Sequence, residues 1–106
     1  LQTFSLMDSN TEKVTAFKQR YFERYPTAGE QKILSESGTV HAYELIYLLV
    51  KAIEQAQSFD RVKVRDSLER IENYSGLIKA YHHPFTALDH DALGLDDFNL
   101  RVFRND

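Results

Sequence analysis

Histidine carries the strongest chemical signal in this 106-residue sequence. His82 and His83 are adjacent, and His90 follows seven residues after His83, flanked by Asp89 and Asp91. Imidazole and carboxylate together form a zinc-type donor set. Adjacent residues of an extended segment project to opposite faces, so only one of His82 and His83 can easily join His90. No His-Glu-x-x-His helix is present to hold two imidazoles on one face. These histidines therefore read as exposed or capping residues, and no metal is expected. Asp96 and Asp97 form a carboxylate pair, which a connection between strands explains better than acid–base catalysis. The serines fall in caps, loops or a helix face, none in a Gly-x-Ser-x-Gly elbow. No glycine loop suited to phosphate or a dinucleotide occurs. Neither an enzyme nor a cofactor is expected. A last candidate is Gly38-Thr39-Val40-His41, leading into Ala42-Tyr43. A helix beginning there presents unpaired N–H groups and a positive dipole end to a ligand carboxylate or amide. The simpler account makes Thr39 an ordinary N-cap.

The elements that position these residues follow from periodicity. Residues Leu1 to Met7 are short and apolar-rich, a strand or an extended segment. Ser9-x-x-Glu12 fits a capping box, and Val14, Phe17, Tyr21, Phe22 and Tyr25 then fall at helical spacing up to Pro26. Their aromatic rings are expected to pack in the core. Residues Thr27 to Thr39 are polar, hold two of the four glycines, and read as a loop. His41 to Gln57 is a helix whose polar strip is narrow, with Glu44, Lys51, Glu54 and Gln55 on it and apolar residues around the rest. Such a helix is buried on several sides. Ser58 or Asp60 caps a shorter helix reaching Glu72, with Val64, Leu68 and Ile71 inward, and Gly76 suits a left-handed stop. Leu77 to Tyr81 and Pro84 to Leu88 are short apolar runs, and Ala87 to Asp97 is a polar turn or loop. Phe98, Leu100 and Val102 alternate with Asn99 and Arg101 as in a half-buried strand.

Composition bounds the rest. The length fits one domain with one modest core, and 42% hydrophobic content is too high for intrinsic disorder. No run approaches the roughly 20 apolar residues of a membrane span. With 13 basic against 16 acidic residues, electrostatic binding of nucleic acid is disfavoured. Basic and acidic side chains interleave on the amphipathic helices, the pattern of a solvated face. The absence of cysteine excludes disulfides, Cys-ligated zinc, iron–sulfur clusters and thiol nucleophiles. The start at Leu1 and the stop at Arg104-Asn105-Asp106 suggest a piece of a longer protein. The residues alone describe an α/β fragment.

The order of segments resembles the C-terminal part of type I periplasmic binding proteins, more narrowly the branched-chain amino-acid, amide and urea receptors of ABC importers. The resemblance rests on Ala42-Tyr43, Tyr47-Leu48-Leu49, Ala52-Ile53, Ala56, Ser58, Asp60, Val64-Arg65, Leu68, Gly76-Leu77, Pro84-Phe85, Asp89-His90 and Ala92-Leu93. Gln57 stands where glycine is common in the family, a departure expected to lengthen the helix. The resemblance implies a fragment, residues 1–106, forming the C-terminal third of a two-lobed receptor. Each complete lobe would be a Rossmann-like three-layer α/β structure, to which this piece gives three helices and a few strands. The ligand implied is an amino acid or a related small polar, amide or aromatic-acid molecule held between lobes. The partner implied is an ABC permease, and the compartment periplasmic or lipid-anchored extracellular, with a signal peptide in the precursor. Within this piece Val40, His41 and Tyr43 are expected to line the pocket, while Pro84-Phe85 and Asp89-His90 order the last crossover. Helix 41–57 of such a fragment should leave apolar surface uncovered, favouring dimerisation or strand exchange. Two other readings stand beside it: a ligand-sensing regulatory domain of the same fold, and an autonomous helical protein-interaction domain.

Overall fold

A computed structural model describes residues 2–26 and 32–102. Part of the expected 27–39 loop and the closing Arg104-Asn105-Asp106 lie outside the described residues. Among the described residues, three helices and one two-stranded antiparallel sheet make a small mixed helix/strand arrangement. No helix among the described residues is long and apolar enough to cross a membrane.

Helix α1 (Glu12–Arg24) starts at Thr11, whose side chain accepts the Val14 N–H at 3.3 Å. The expected Ser9 capping box does not form, because Glu12 is already the first helical residue; the Ser9 carbonyl instead accepts from Lys18 Nζ at 3.1 Å. Pro26 ends the helix as expected, since it cannot donate into a further turn. Val14 is fully buried, and Phe17, Tyr21 and Phe22 pack against the core, whereas Tyr25 is 55% exposed.

Helix α2 (Glu36–Ala56) begins five residues before His41, so the helix claims residues 36–39 of the expected loop. A tertiary contact explains the early start. The Glu36 carboxylate accepts the Leu6 N–H at 2.6 Å, the Met7 N–H at 3.0 Å and the Ser5 hydroxyl at 3.2 Å. This fixes the first turn against the N-terminal segment, and Thr39 becomes an interior residue donating to the Ser35 carbonyl. The helix stops at Ala56, so Gln57 does not lengthen it: Gln57 is its C-cap in the left-handed region, φ 49°. The polar strip read from the sequence is also displaced. The buried stripe is Val40, Glu44, Leu48 and Ala52, while Leu45, Ile46, Tyr47, Leu49 and Val50 are exposed.

Helix α3 (Arg61–Leu68) is capped by Asp60, which accepts the Lys63 N–H at 3.1 Å, and packs on α2. It ends before the expected Glu72, because the chain turns at Glu69-Arg70 to bury Ile71. Strands β1 (Tyr74–Ser75) and β2 (Ala80–Tyr81) then form a hairpin pairing Tyr74 with Tyr81 and Ser75 with Ala80. The apolar run from Leu77 keeps only its last two residues as strand, since Leu77 and Ile78 lie in the turn. Pro84 to Leu88 is not a strand either; Thr86 and Asp89 bond each other's backbone in a tight turn. Asp96 and Asp97 sit in a short 3₁₀ turn, Leu95–Asp97. The alternating segment 98–102 pairs only at Asn99, which exchanges both backbone hydrogen bonds with Gln2. Without a longer neighbouring strand, Leu100 and Val102 remain 89% and 79% exposed instead of half-buried.

The core has two parts. Phe4, Leu6, Val14, Ile33, Val40 and Leu77 form one cluster, and Leu48, Ala52 and Ile71 the other. Both contain residues of the same α2 stripe, and Glu44 lies between them along it.

Gln57 holds a conformation that costs an L-residue about 1 kcal/mol and costs glycine little. Gln57→Gly is therefore expected to raise stability by about 0.5–1 kcal/mol in urea unfolding, the gain being trimmed by the greater freedom of an unfolded glycine. A loss of stability in that variant would contradict the left-handed cap.

Candidate functional site

The most unusual side chain is Glu44, a carboxylate 3% exposed. Its Oε1 accepts the Leu77 N–H at 2.6 Å, tying the middle of α2 to the hairpin turn. Its Oε2 has no hydrogen-bond partner in good geometry, although the Tyr74 hydroxyl and the Ile78 amide lie near it. Gly76 makes the contact possible, because a Cβ at that position would overlap the carboxylate. Gly76 is thus needed for space and not for a left-handed φ; the left-handed residue in this region is Asn73, φ 52°. From the other side Lys13 Nζ donates to the Ser75 and Gly76 carbonyls at 2.8 and 2.9 Å. The turn is gripped between an anion and a cation. Burial pushes the Glu44 carboxyl above its ordinary range, partly offset by the Leu77 and Ile78 amides, Lys13 and Tyr74. Burial, followed by the nearby Glu44 charge, also raises the phenols of Tyr74 and Tyr81.

Glu44, together with Leu45 and Leu48, forms the α2 wall of a cleft of about 530 Å³. The facing wall comes from Tyr81, Phe85, the run His90 to Leu93, and Phe98. The size lies within the usual range of small-molecule pockets. His41 stands on the α2 wall, with Nε2 3.0 Å from Thr3 Oγ1 and its ring edge-on to Phe4 at 5.1 Å. His90 stands opposite, with Nε2 3.0 Å from Glu69 Oε1. Asp91 contributes an exposed carboxylate, its backbone N–H held by Asp89 Oδ1 at 2.8 Å.

The three sequence candidates part company. His41 enters the cleft, but Val40 is fully buried in the first core cluster. Tyr43 packs on Phe17 and Tyr47, with ring centroids 5.5 and 4.5 Å away, and is not in the cleft wall. None of them lies at the helix N-terminus, because α2 starts earlier than expected. The histidine cluster resolves into separate contacts. His82 Nδ1 is 2.8 Å from Asn73 Oδ1, while His83 reaches the Glu69 carbonyl at 2.9 Å and His90 its carboxylate. Among the described residues no three His, Cys, Asp or Glu side chains gather as metal ligands. Asp97 is occupied too, held below its ordinary range by Lys79 at 2.6 Å. The aromatic side of the cleft, Tyr81, Phe85 and Phe98, was not legible, because it assembles from residues up to 17 apart that share no periodic pattern. Comparison with protein-family models, curated proteins and solved structures finds no match for the chain.

Two outcomes test the Glu44 contact. Gly76→Ala should cost about 2 kcal/mol by overpacking, and much less in a Glu44→Ala background, a non-additivity that a double-mutant cycle of unfolding free energies measures. The second concerns pH. A carboxyl raised on folding favours the folded state below its unfolded value near 4.5. That advantage is lost as pH climbs through the raised folded value. Asp8 and Asp97, both lowered, act in the opposite sense. The difference between Glu44→Gln and the parent removes their contribution, and it should move in favour of the glutamine as pH rises from 4 to 7. A difference independent of pH would show that the carboxyl is not desolvated.

Proposed function

We propose that the chain is part of a solute-binding protein that takes up a small amino-acid-like or amide-like molecule in the cleft beside α2. The observation that carries this reading is the cleft itself, with an exposed carboxylate, two imidazoles and an apolar wall around a volume suited to one small molecule. Asp91 suits the ligand's ammonium or amide N–H groups. His41 and His90 are held through Nε2, and among the described residues Nδ1 of neither ring is engaged, which leaves a donor or acceptor for a ligand carboxylate or amide. Leu45, Leu48 and Phe85 suit an aliphatic or aromatic side chain.

The wider reading draws on the resemblance to type I periplasmic binding proteins. In it the chain supplies helices and crossover segments to a two-lobed, three-layer α/β receptor, which delivers its solute to an ABC permease outside the cytoplasm. A ligand-sensing regulatory domain of the same fold shares the cleft and differs in its partner. The third reading, an autonomous helical interaction domain, calls for no large uncovered apolar patch, and the exposed outer face of α2 speaks against it.

Titration of the chain with a panel of amino acids, their amides and urea, followed by amide chemical shifts, tests the binding reading. Shifts should be confined to residues around His41, Tyr81 and His90 to Leu93. Asp91→Asn and His41→Ala should each weaken binding about tenfold, or about 1.4 kcal/mol. Unchanged spectra across the whole panel would remove the cleft as a solute site.

A further inference from the structure

Much of the far wall of the cleft is carried by a segment without helix or strand, residues 83–91. Its middle closes on itself: Thr86 and Asp89 exchange backbone hydrogen bonds of 2.7 and 3.3 Å, and the Thr86 hydroxyl accepts the Asp89 N–H at 3.0 Å. Its two histidines meet on one residue, Glu69, the C-cap of α3. His83 Nε2 is 2.9 Å from the Glu69 carbonyl oxygen, and His90 Nε2 is 3.0 Å from Oε1 of the Glu69 carboxylate. A carbonyl and a carboxylate only accept, so both rings donate and carry a proton on Nε2. Between these anchors Phe85 packs on the cluster of Leu48, Ala52 and Ile71. That contact is apolar and non-directional, so it sets depth and not the direction in which the chain leaves. Downstream, Leu93 packs on the first cluster and Lys79 Nζ donates to the Ala92 carbonyl at 3.3 Å. The stretch that depends on Glu69 is therefore His90 and Asp91.

We propose that Glu69 is a positioning residue: it latches the strap 83–90 to the end of α3, and through His90 it sets where His90 and Asp91 stand in the cleft wall. Glu69 is not part of that wall; it borders a smaller apolar pocket that shares Phe85 and His90 with the cleft. The Glu69 side chain is 22% exposed and that of His90 64%, so the carboxylate is the seated half of the pair and the imidazole the half that can leave. The latch also decides what the ring offers. With its proton on Nε2, the neutral imidazole of His90 keeps Nδ1 as an acceptor, and the carboxylate of Asp91 is an acceptor too. For a solute, a consequence that rests on the solute-binding reading, this stretch of wall favours N–H groups over a carboxylate.

Nuclear relaxation of the backbone amides and the nitrogen shifts of the imidazoles test the latch without any solute. In the parent chain His90 and Asp91 should show the order parameters of rigid backbone, about 0.85. Both latched rings should be in the Nε2–H form at about pH 8, where histidine is ordinarily neutral. Glu69→Ala should lower the order parameters of His90 and Asp91 toward about 0.6. His83 should stay rigid in that variant, because the carbonyl that holds it belongs to the backbone. Glu69→Gln, whose side-chain oxygen still accepts from Nε2, should restore His90 and Asp91. His90→Ala, which leaves α3 untouched, should loosen Asp91 as Glu69→Ala does, and the double variant should loosen it no further. Unchanged order parameters in Glu69→Ala and His90→Ala, no rescue by Glu69→Gln, or a His90 ring protonated on Nδ1 overturns the proposal. Titration with amino acids, their amides and urea then separates the two readings. For any of these that the parent binds, Glu69→Ala should weaken binding about fivefold and Glu69→Gln much less. A parent that binds none, with the relaxation results as expected, removes the cleft as a solute site and leaves the latch standing.

Discussion

Much of this structure hangs on one buried carboxylate. Glu44 sits on the inward stripe of α2 between two apolar clusters, and its hydrogen bond to the Leu77 N–H joins the helix to the hairpin turn. Removing a carboxylate from water is costly unless hydrogen bonds and a countercharge replace the lost hydration. Here the replacement is partial. One oxygen accepts a short backbone bond, the other lacks a partner, and Lys13 acts through the Ser75 and Gly76 carbonyls instead of by direct pairing. Gly76 must be glycine for the arrangement to fit. The hairpin has only two residues in each strand, too few to hold itself in water. Its position depends on the ions gripping its turn. Because β2 supplies Tyr81 to the cleft, the carboxylate also sets where the cleft's far wall stands.

What the sequence made legible follows from the range of each interaction. The end of α1 at Pro26 and the cap of α3 at Asp60 are local, decided within a turn of the chain, and both stand where the pattern puts them. The start of α2 is not local. It depends on Glu36 meeting the amides of Leu6 and Met7, some thirty residues away, and nothing in the run from Thr27 to Thr39 signals that meeting. Gly76 was recognisable as special, but its reason was misread, since the demand comes from a side chain 32 positions earlier. The alternation at 98–102 is a true strand pattern that lacks a strand to pair with beyond Gln2. Pattern reports what a segment is suited to; pairing depends on what lies beside it.

The site shows the same division. His41 was singled out for its place on α2 and does reach the cleft, while its neighbours Val40 and Tyr43 turn into the core and onto α1. At 100° per residue His41 lies 100° from Val40 and about 160° from Tyr43, so the three do not share one wall. Glu44 could not be found from spacing alone. Val40, Glu44, Leu48 and Ala52 recur every four residues, but so do the more apolar Leu45, Leu49 and Ile53, of which Leu45 and Leu49 are exposed.

The two faces of α2 explain why no rotation of the helix would satisfy the chain alone. Turning it by half a revolution would hide Ile46, Leu49 and Ile53 and return Glu44 to water. It would also expose Val40, Leu48 and Ala52 and break the bond to Leu77. Each 100 Å² of apolar surface left in water forfeits about 2.5 kcal/mol, so leaving either apolar row in water is costly. The orientation adopted keeps the face that carries the hydrogen bond inside and leaves outside the face that is purely apolar. Leaving the Leu77 N–H buried without its acceptor is penalised more steeply than leaving an apolar side chain wet, so the apolar face is the cheaper of the two to leave uncovered. The exposed aliphatic row, Leu45, Ile46, Leu49 and Val50, is therefore the consequence of burying Glu44.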